Sequence, residues 1–224
     1  LIDIDYCRLI DNKIISAREN EVLQSELTAE QIAIWIRQRR QSHWYAAFEH
    51  TYQALDNAAQ FIATFNQVKI DMDSLVQGVE RYTQSWYKLD QLYRKFIYHK
   101  LESGEVSLLN HLNDKIENIY SNNYLLKLGN RFQEFIESES QWNAAPILRQ
   151  DSFFGHWVKP FLDNNNKIYV IISDAMRYEI ADELVSLIRQ EDRYSADIAP
   201  MLSMLPSYTQ LGMAALLPND TLAI

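Results

Sequence analysis

The sequence predicts an α + α/β architecture, with an all-helical region over about 1–145, a linker over 146–166 and, from 167 to 224, the first β-α-β unit of a parallel-sheet domain. Three observations predict it. All five prolines, at 146, 160, 200, 206 and 218, lie in the last third, while the first 145 residues hold only Gly78, Gly104 and Gly129, so the early chain is free to be helical throughout. Apolar residues in that early chain recur at steps of three and four. In "KIYVIISDAMRYEIADEL", Lys167 to Leu184, the pattern changes halfway from a nearly continuous apolar run to helical spacing.

The first clear helix start is Thr28 followed by Gln31, the spacing of a capping box, after which Ile32, Trp35, Ile36, Trp44, Tyr45 and Phe48 form amphipathic stretches. A second helix runs from an N-cap at Asp73 to about Leu101, because Leu75, Val76, Val79, Tyr82, Trp86, Leu89, Tyr93, Phe96 and Ile97 keep helical steps. A third follows Gly104 and carries Leu108, Leu109, Leu112, Ile116, Ile119, Tyr120, Leu125 and Leu128, with a break at Gly129 before Phe132 and Phe135. The tyrosines and tryptophans of this region read as the filling of an inter-helix core. His43, His50, His99 and His111 are scattered without HExxH or Cys/His spacing and read as surface or core residues.

Composition narrows the class. With 224 residues and 47% hydrophobic content the chain has ample material for a core. No run approaches the ~20 apolar residues of a membrane span, and the N-terminus lacks a signal-peptide pattern. A single cysteine, Cys7, excludes an internal disulfide framework, and the chain reads as cytoplasmic. Leu1 in place of an initiator Met, and a closing "TLAI" that reads as another strand beginning, give the expectation of a segment of a longer polypeptide. The net charge of −9, spread over both halves, does not describe a basic nucleic-acid surface. The one dense basic cluster, "RQRRQ" at Arg37 to Gln41, reads as the solvated face of a helix.

The linker is turn-rich at "RQDSFFGHW" and "DNNNK", and Phe153, Phe154 and Trp157 are expected to pin it to a neighbour. The apolar run Ile168–Ile172 then implies a strand buried on both faces, covered by a helix with Ile180, Ala181, Leu184, Leu187 and Ile188 on one side. "RYSADIAP", Arg193 to Pro200, reads as the second strand. Asp174 falls at the carboxyl end of the first strand, where open α/β sheets place ligand-binding residues. There a carboxylate coordinates a divalent metal, accepts a proton, or caps the next helix. After the second strand, the hydroxyls of Ser203, Ser207 and Thr209 surround Pro206 and precede an apolar helix, whose N-terminus favours an anion such as phosphate. One such hydroxyl alone would be an N-cap, and Ser207, directly after Pro206, is the more natural one.

Two segments, "VIISDAMRYEIADEL" and "MLPSYTQLGMAALLP", closely resemble the opening of the PglZ domain, the alkaline-phosphatase-like domain of bacteriophage-exclusion (BREX) defence systems. The resemblance covers about Lys167 to the end. It implies that residues 167–224 are the N-terminal part of an alkaline-phosphatase-like parallel-sheet domain, that Asp174 is a ligand to a divalent metal, usually zinc, and that Thr209 is the nucleophile, facing the metal, with Ser207 and Ser203 behind it. The implied reaction is attack by a metal-activated hydroxyl on phosphorus, then displacement of the phospho-enzyme by water. The superfamily completes its site with Asp and His ligands far downstream, whereas here Thr209 is followed only by Asp220 and no histidine, and His156 matches no family ligand. The remaining ligands are expected beyond residue 224 and the segment is expected to be inactive alone. Three readings follow: a metal-dependent phosphatase or phosphodiesterase of a BREX system, a structural module docking other defence proteins or nucleic acid, and a regulator that uses a phosphatase-like fold for signalling.

Overall fold

A computed structural model of the chain describes residues 6–24, 26–104, 106–138, 141–219 and 222. Among them, ten α-helices form: α1 (Arg8–Gln24), α2 (Ala29–Arg39), α3 (Tyr45–Gln67), α4 (Leu75–Arg81), α5 (Tyr87–Ser103), α6 (Asn110–Asn118), α7 (Leu126–Ser138), α8 (Lys159–Asp163), α9 (Tyr178–Arg189) and α10 (Thr209–Leu216). The helical region predicted before Pro146 is present, although Gly129, expected to break a helix, lies inside α7. Its local signals act as expected at Thr28, whose hydroxyl accepts from Gln31 N at 3.2 Å while Gln31 Oε1 accepts from Thr28 N at 2.9 Å. At α4 the cap is Ser74, one residue after the predicted Asp73, because the Ser74 hydroxyl takes the Gln77 N–H at 3.2 Å. π-helical turns at Tyr82–Trp86 and Ile119–Leu125 carry the chain from α4 into α5 and from α6 into α7. Gly104 ends α5 at φ 64, a left-handed position that glycine adopts without a Cβ penalty. No helix of the described residues is long and apolar enough to cross a membrane.

The chain divides into two compact units, one of Leu1–Asp71 with Ser85–Asn130, the other of Met72–Gln84 with Arg131–Ile224. In the first, α3 packs along α5, and α1 packs on α3 and α6, around a core that includes Ile15, Ile32, Phe48, Leu55, Phe61, Leu89, Phe96, Leu112 and Ile116. Helices α1 and α6 also satisfy each other's ends. Glu19 of α1, itself buried, accepts the Leu112 N–H of the uncapped first turn of α6 at 3.0 Å, and Lys115 of α6 donates to the Leu23 carbonyl in the last turn of α1 at 2.6 Å. Each charge sits at the helix terminus whose dipole favours it.

The basic cluster is solvated at Arg37 and Arg40, as expected, but not at Arg39. Arg39 is buried rather than solvated, and its Nη2 donates to Asp11 Oδ1 at 2.7 Å, an oxygen that also accepts from the Tyr52 hydroxyl. Burial, and then the hydrogen bond to Asp11, push the Tyr52 hydroxyl well above its usual range. Helical spacing accounts for the burial, since Ile32, Trp35, Ile36 and Arg39 share one face of α2 and all are buried.

In the second unit, Leu75, Ala144 and Leu202 are buried together, with Val76, Phe132, Phe135, Trp142 and Ile147 packed around them. Of the expected β-α-β unit only the helix, α9, forms, and neither flanking segment pairs as a strand among the described residues. Residues 167–173 have no regular secondary structure and pair with nothing among the described residues, with Tyr169 88% and Ile171 93% exposed, and Ile180, Leu184 and Leu187 of α9 are exposed as well. A parallel bridge joins Leu202 to Arg149, so the pairing falls just after "RYSADIAP" and its partner is the stretch read as linker.

Removing one member of the buried pair leaves the other charge stranded. Asp11→Ala is expected to destabilise the protein by about 3–5 kcal/mol in urea denaturation, and Asp11→Leu combined with Arg39→Met by much less, since replacing both charges with apolar groups leaves neither unpaired.

Candidate functional site

Residues from 172–176 and from 203–216, together with Gln150, line a cleft of about 290 Å³ within the second unit. It gathers Asp174, Ser203, Ser207 and Thr209, all exposed to solvent. Thus the structure brings onto one concave surface the carboxylate and the three hydroxyls singled out in two segments some thirty residues apart in sequence.

On one side of the cleft the apolar run gives way to a turn at Asp174, and Ala175 takes φ 54, a left-handed conformation unusual for a residue with a Cβ. Asp174 Oδ1 accepts from the Ala175 N–H at 3.0 Å. It does not cap the following helix. α9 begins only at Tyr178, with Arg177 as an extended N-cap and no side-chain cap bond, so Ala175, Met176 and Arg177 separate the carboxylate from the helix start. That start is instead fixed by the buried Glu179, which accepts from Arg177 Nη2 at 3.0 Å in the first turn, where the dipole favours an anion. The capping alternative for Asp174 is therefore corrected.

On the other side, α10 begins at Thr209. Its N-cap is Tyr208, extended at φ −118 and ψ 155 and making no side-chain cap bond, so Ser207 is not the cap expected of it. A turn after Pro206, closed by the Tyr208 N–H on the Pro206 carbonyl at 3.0 Å, leaves Ser207 outside the helix. Thr209 occupies the first helical position. Among the described residues, the hydroxyls of Ser203, Ser207 and Thr209 form no hydrogen bond, so none is committed to a backbone donor.

Gln150 ties the hydroxyl side together, and sequence reasoning missed it. Its backbone N–H donates to the Leu202 carbonyl at 2.9 Å, and its side-chain Oε1 accepts from Met204 N at 3.2 Å. Its Nε2 lies 3.2 Å from where a Cβ on Gly212 would stand, so the absence of a side chain at 212 lets α10 settle against it. No periodicity or motif marks a glutamine in a turn-rich linker.

Among the described residues, no three of His, Cys, Asp and Glu gather where they could hold a metal ion. The cleft contributes one carboxylate, Asp174, and hydroxyls, whereas zinc takes about four ligands. His156 does not line the cleft, and Asp220 lies outside the described residues. These donors do not by themselves fit a zinc site.

Comparison with known proteins bears on the same region. Residues 153–224 match the family described as the BREX system PglZ alkaline phosphatase-like domain. Residues 153–224 belong to the PglZ family. The chain is 35% identical over 194 residues, 84% of its length and 22% of the relative's, to an alkaline phosphatase-like protein PglZ of Bacillus cereus. It is 36% identical, over 95% of its length and 26% of the relative's, to an alkaline phosphatase-like protein BrxZ of Escherichia coli. The chain spans about a quarter of the length of the curated relatives it matches. No solved structure matches it. Alkaline-phosphatase-like domains generally use divalent metals, and the PglZ match takes in both Asp174 and Thr209.

The conformation at the carboxylate is open to a direct check. Because a left-handed residue with a Cβ costs about 1–2 kcal/mol, part of which glycine returns as unfolded-state entropy, Ala175→Gly is expected to stabilise the protein by up to roughly 1 kcal/mol in urea denaturation.

Proposed function

We propose that this chain carries a helical domain over 1–145, a linker over 146–166 and, over 167–224, the opening of the catalytic domain of a metal-dependent phosphatase or phosphodiesterase of a BREX-type phage-defence system. The observation that carries the reading is the meeting of Asp174 with Thr209 in one solvent-open cleft, neither of them serving as a helix cap. In that reading Thr209 is the nucleophile. Its Oγ forms the bond to phosphorus as the bond to the leaving oxygen breaks, the hydroxyl proton passes to solvent, and the departing group takes up a proton. Water then cleaves the phosphothreonine and restores the hydroxyl. The first turn of α10 stands behind Thr209, and its unpaired N–H groups favour an anion at that place.

Asp174 is proposed as one ligand of the divalent ion, zinc by the resemblance, with the remaining ligands supplied from beyond residue 224. The exposed apolar run Tyr169–Ile172 and the exposed face of α9 support the same view of the fold. They have the composition of a strand and its covering helix, and the proposal places the rest of a parallel sheet against them. The site is cytoplasmic in this reading, and the partners proposed are other proteins of the defence system. The alternative of a structural module for protein or nucleic-acid docking draws no support from the charge distribution, which carries a net −9.

In the full-length protein, Thr209→Ala is expected to abolish phosphomonoester or phosphodiester cleavage while metal content and melting temperature are retained, and Ser207→Ala to leave activity in place. Activity retained in Thr209→Ala would remove it as nucleophile, and loss confined to Ser207→Ala would move the role two residues back. Asp174→Ala is expected to lower bound metal in elemental analysis with little change in melting temperature, because the carboxylate caps nothing whose loss would cost the usual ~1 kcal/mol.

A further inference from the structure

His50 of α3 and His99 of α5 meet across the pairing of α3 with α5 in the first unit, far along the chain from the cleft residues. Their Nδ1 atoms are 3.0 Å apart, with ring centroids at 5.1 Å and planes at 40°. Tyr98 packs edge-on against both rings. Both imidazoles are half-buried, so the pair is open to solvent on one side. Two ring nitrogens at this distance either share one proton, one donating and the other accepting, or direct both lone pairs at a single electrophile.

We propose that His50 and His99 form a two-histidine clamp for a divalent transition-metal ion of the zinc, nickel or copper class, tying α3 to α5. Imidazole nitrogens bind such ions at about 2.0–2.1 Å, so two of them 3.0 Å apart subtend roughly 95° at a shared ion. That is the angle of adjacent ligands in tetragonal or octahedral sites, and it needs only a small opening for a tetrahedral one. The two nitrogens are brought together by packing that has nothing to do with the ion. Phe48, Tyr52 and Leu55 on α3 and Leu89 and Phe96 on α5 are all buried, so the clamp is held in place before a metal arrives.

The charges around the pair are mixed. Glu49 and Glu102 favour positive charge at His99, and Lys95 opposes it. Burial, followed by His50 and Lys95, holds the His99 imidazole below its usual range. When both Nδ1 atoms ligate, the proton shared between the neutral rings passes through solvent to Nε2 of its own ring, with no net proton released, and protonation of either ring competes with the ion, so affinity should fall as pH is lowered. Other coordination positions are left to water.

The test uses full-length protein carrying Asp174→Ala, which removes the ligand proposed for the cleft, so the clamp is read separately from the catalytic proposal. Ni2+ titrated calorimetrically should bind, and His50→Gln and His99→Gln should each weaken that binding at least tenfold, with folding checked by circular dichroism. A smaller loss in either variant overturns the clamp. Should a glutamine variant fail to fold, the parent protein decides, through diethylpyrocarbonate labelling read peptide by peptide. Ni2+ should protect His50 and His99 together, and equal labelling of both with and without Ni2+ overturns the proposal.

Discussion

Leu202 is held on both sides of its peptide. Its N–H donates to the Leu148 carbonyl at 2.8 Å, its own carbonyl accepts from Gln150 N at 2.9 Å, and its side chain is buried with Leu75 and Ala144. Trp142 adds a bond from Nε1 to the Ser203 carbonyl at 2.6 Å, and the Gln150 side chain takes the Met204 N–H. Three consecutive residues, Leu202 to Met204, are thus fixed by a segment some fifty positions earlier. Everything that follows, from Ser203 through the turn at Pro206 into α10, inherits its position from this short parallel contact. A single bridge is a small amount of sheet, and it relies on the apolar cluster beneath it.

The carboxylate side is organised by different means. The buried Glu179 and its bond to Arg177 settle where α9 begins, which leaves Asp174, Ala175 and Met176 as a turn rather than a helical lead-in. The outcome on both sides is alike: polar groups that the sequence could assign to helix capping are left facing solvent in the cleft. Neither the three hydroxyls nor Asp174, whose bond is to the adjacent Ala175 N–H, caps a helix, and their placement on one concave surface is what gives the phosphohydrolase reading its physical content.

Much of this was legible from the residues, and the failures have specific causes. The Thr28–Gln31 box and the break at Gly104 depend on contacts within a few residues, which sequence spacing encodes directly. Ser74 in place of Asp73, and Tyr208 in place of Ser207, are errors of one residue at helix starts, where neighbouring polar residues compete for the same donors. Arg39 was read as solvated because a charge run says nothing about a carboxylate 28 positions earlier on another helix. Gln150 and the His50–His99 contact escaped for the same reason, since periodicity gives the face a residue occupies but not what another helix or loop brings to meet it. For the apolar run at 168–172 the pattern of a doubly buried strand is unmistakable, yet burial requires neighbouring strands, and none pairs with it among the described residues.

The central claim is that Asp174 and Thr209 are two parts of one phosphoryl-transfer centre. A crystal structure of the full-length protein grown with zinc and orthovanadate, a mimic of phosphoryl in transfer, tests it most directly. An Asp174 oxygen is expected at about 2.0–2.2 Å from the metal, with vanadium bonded to Thr209 Oγ. Zinc bound without Asp174, or vanadate bonded to a residue outside this cleft, would contradict it.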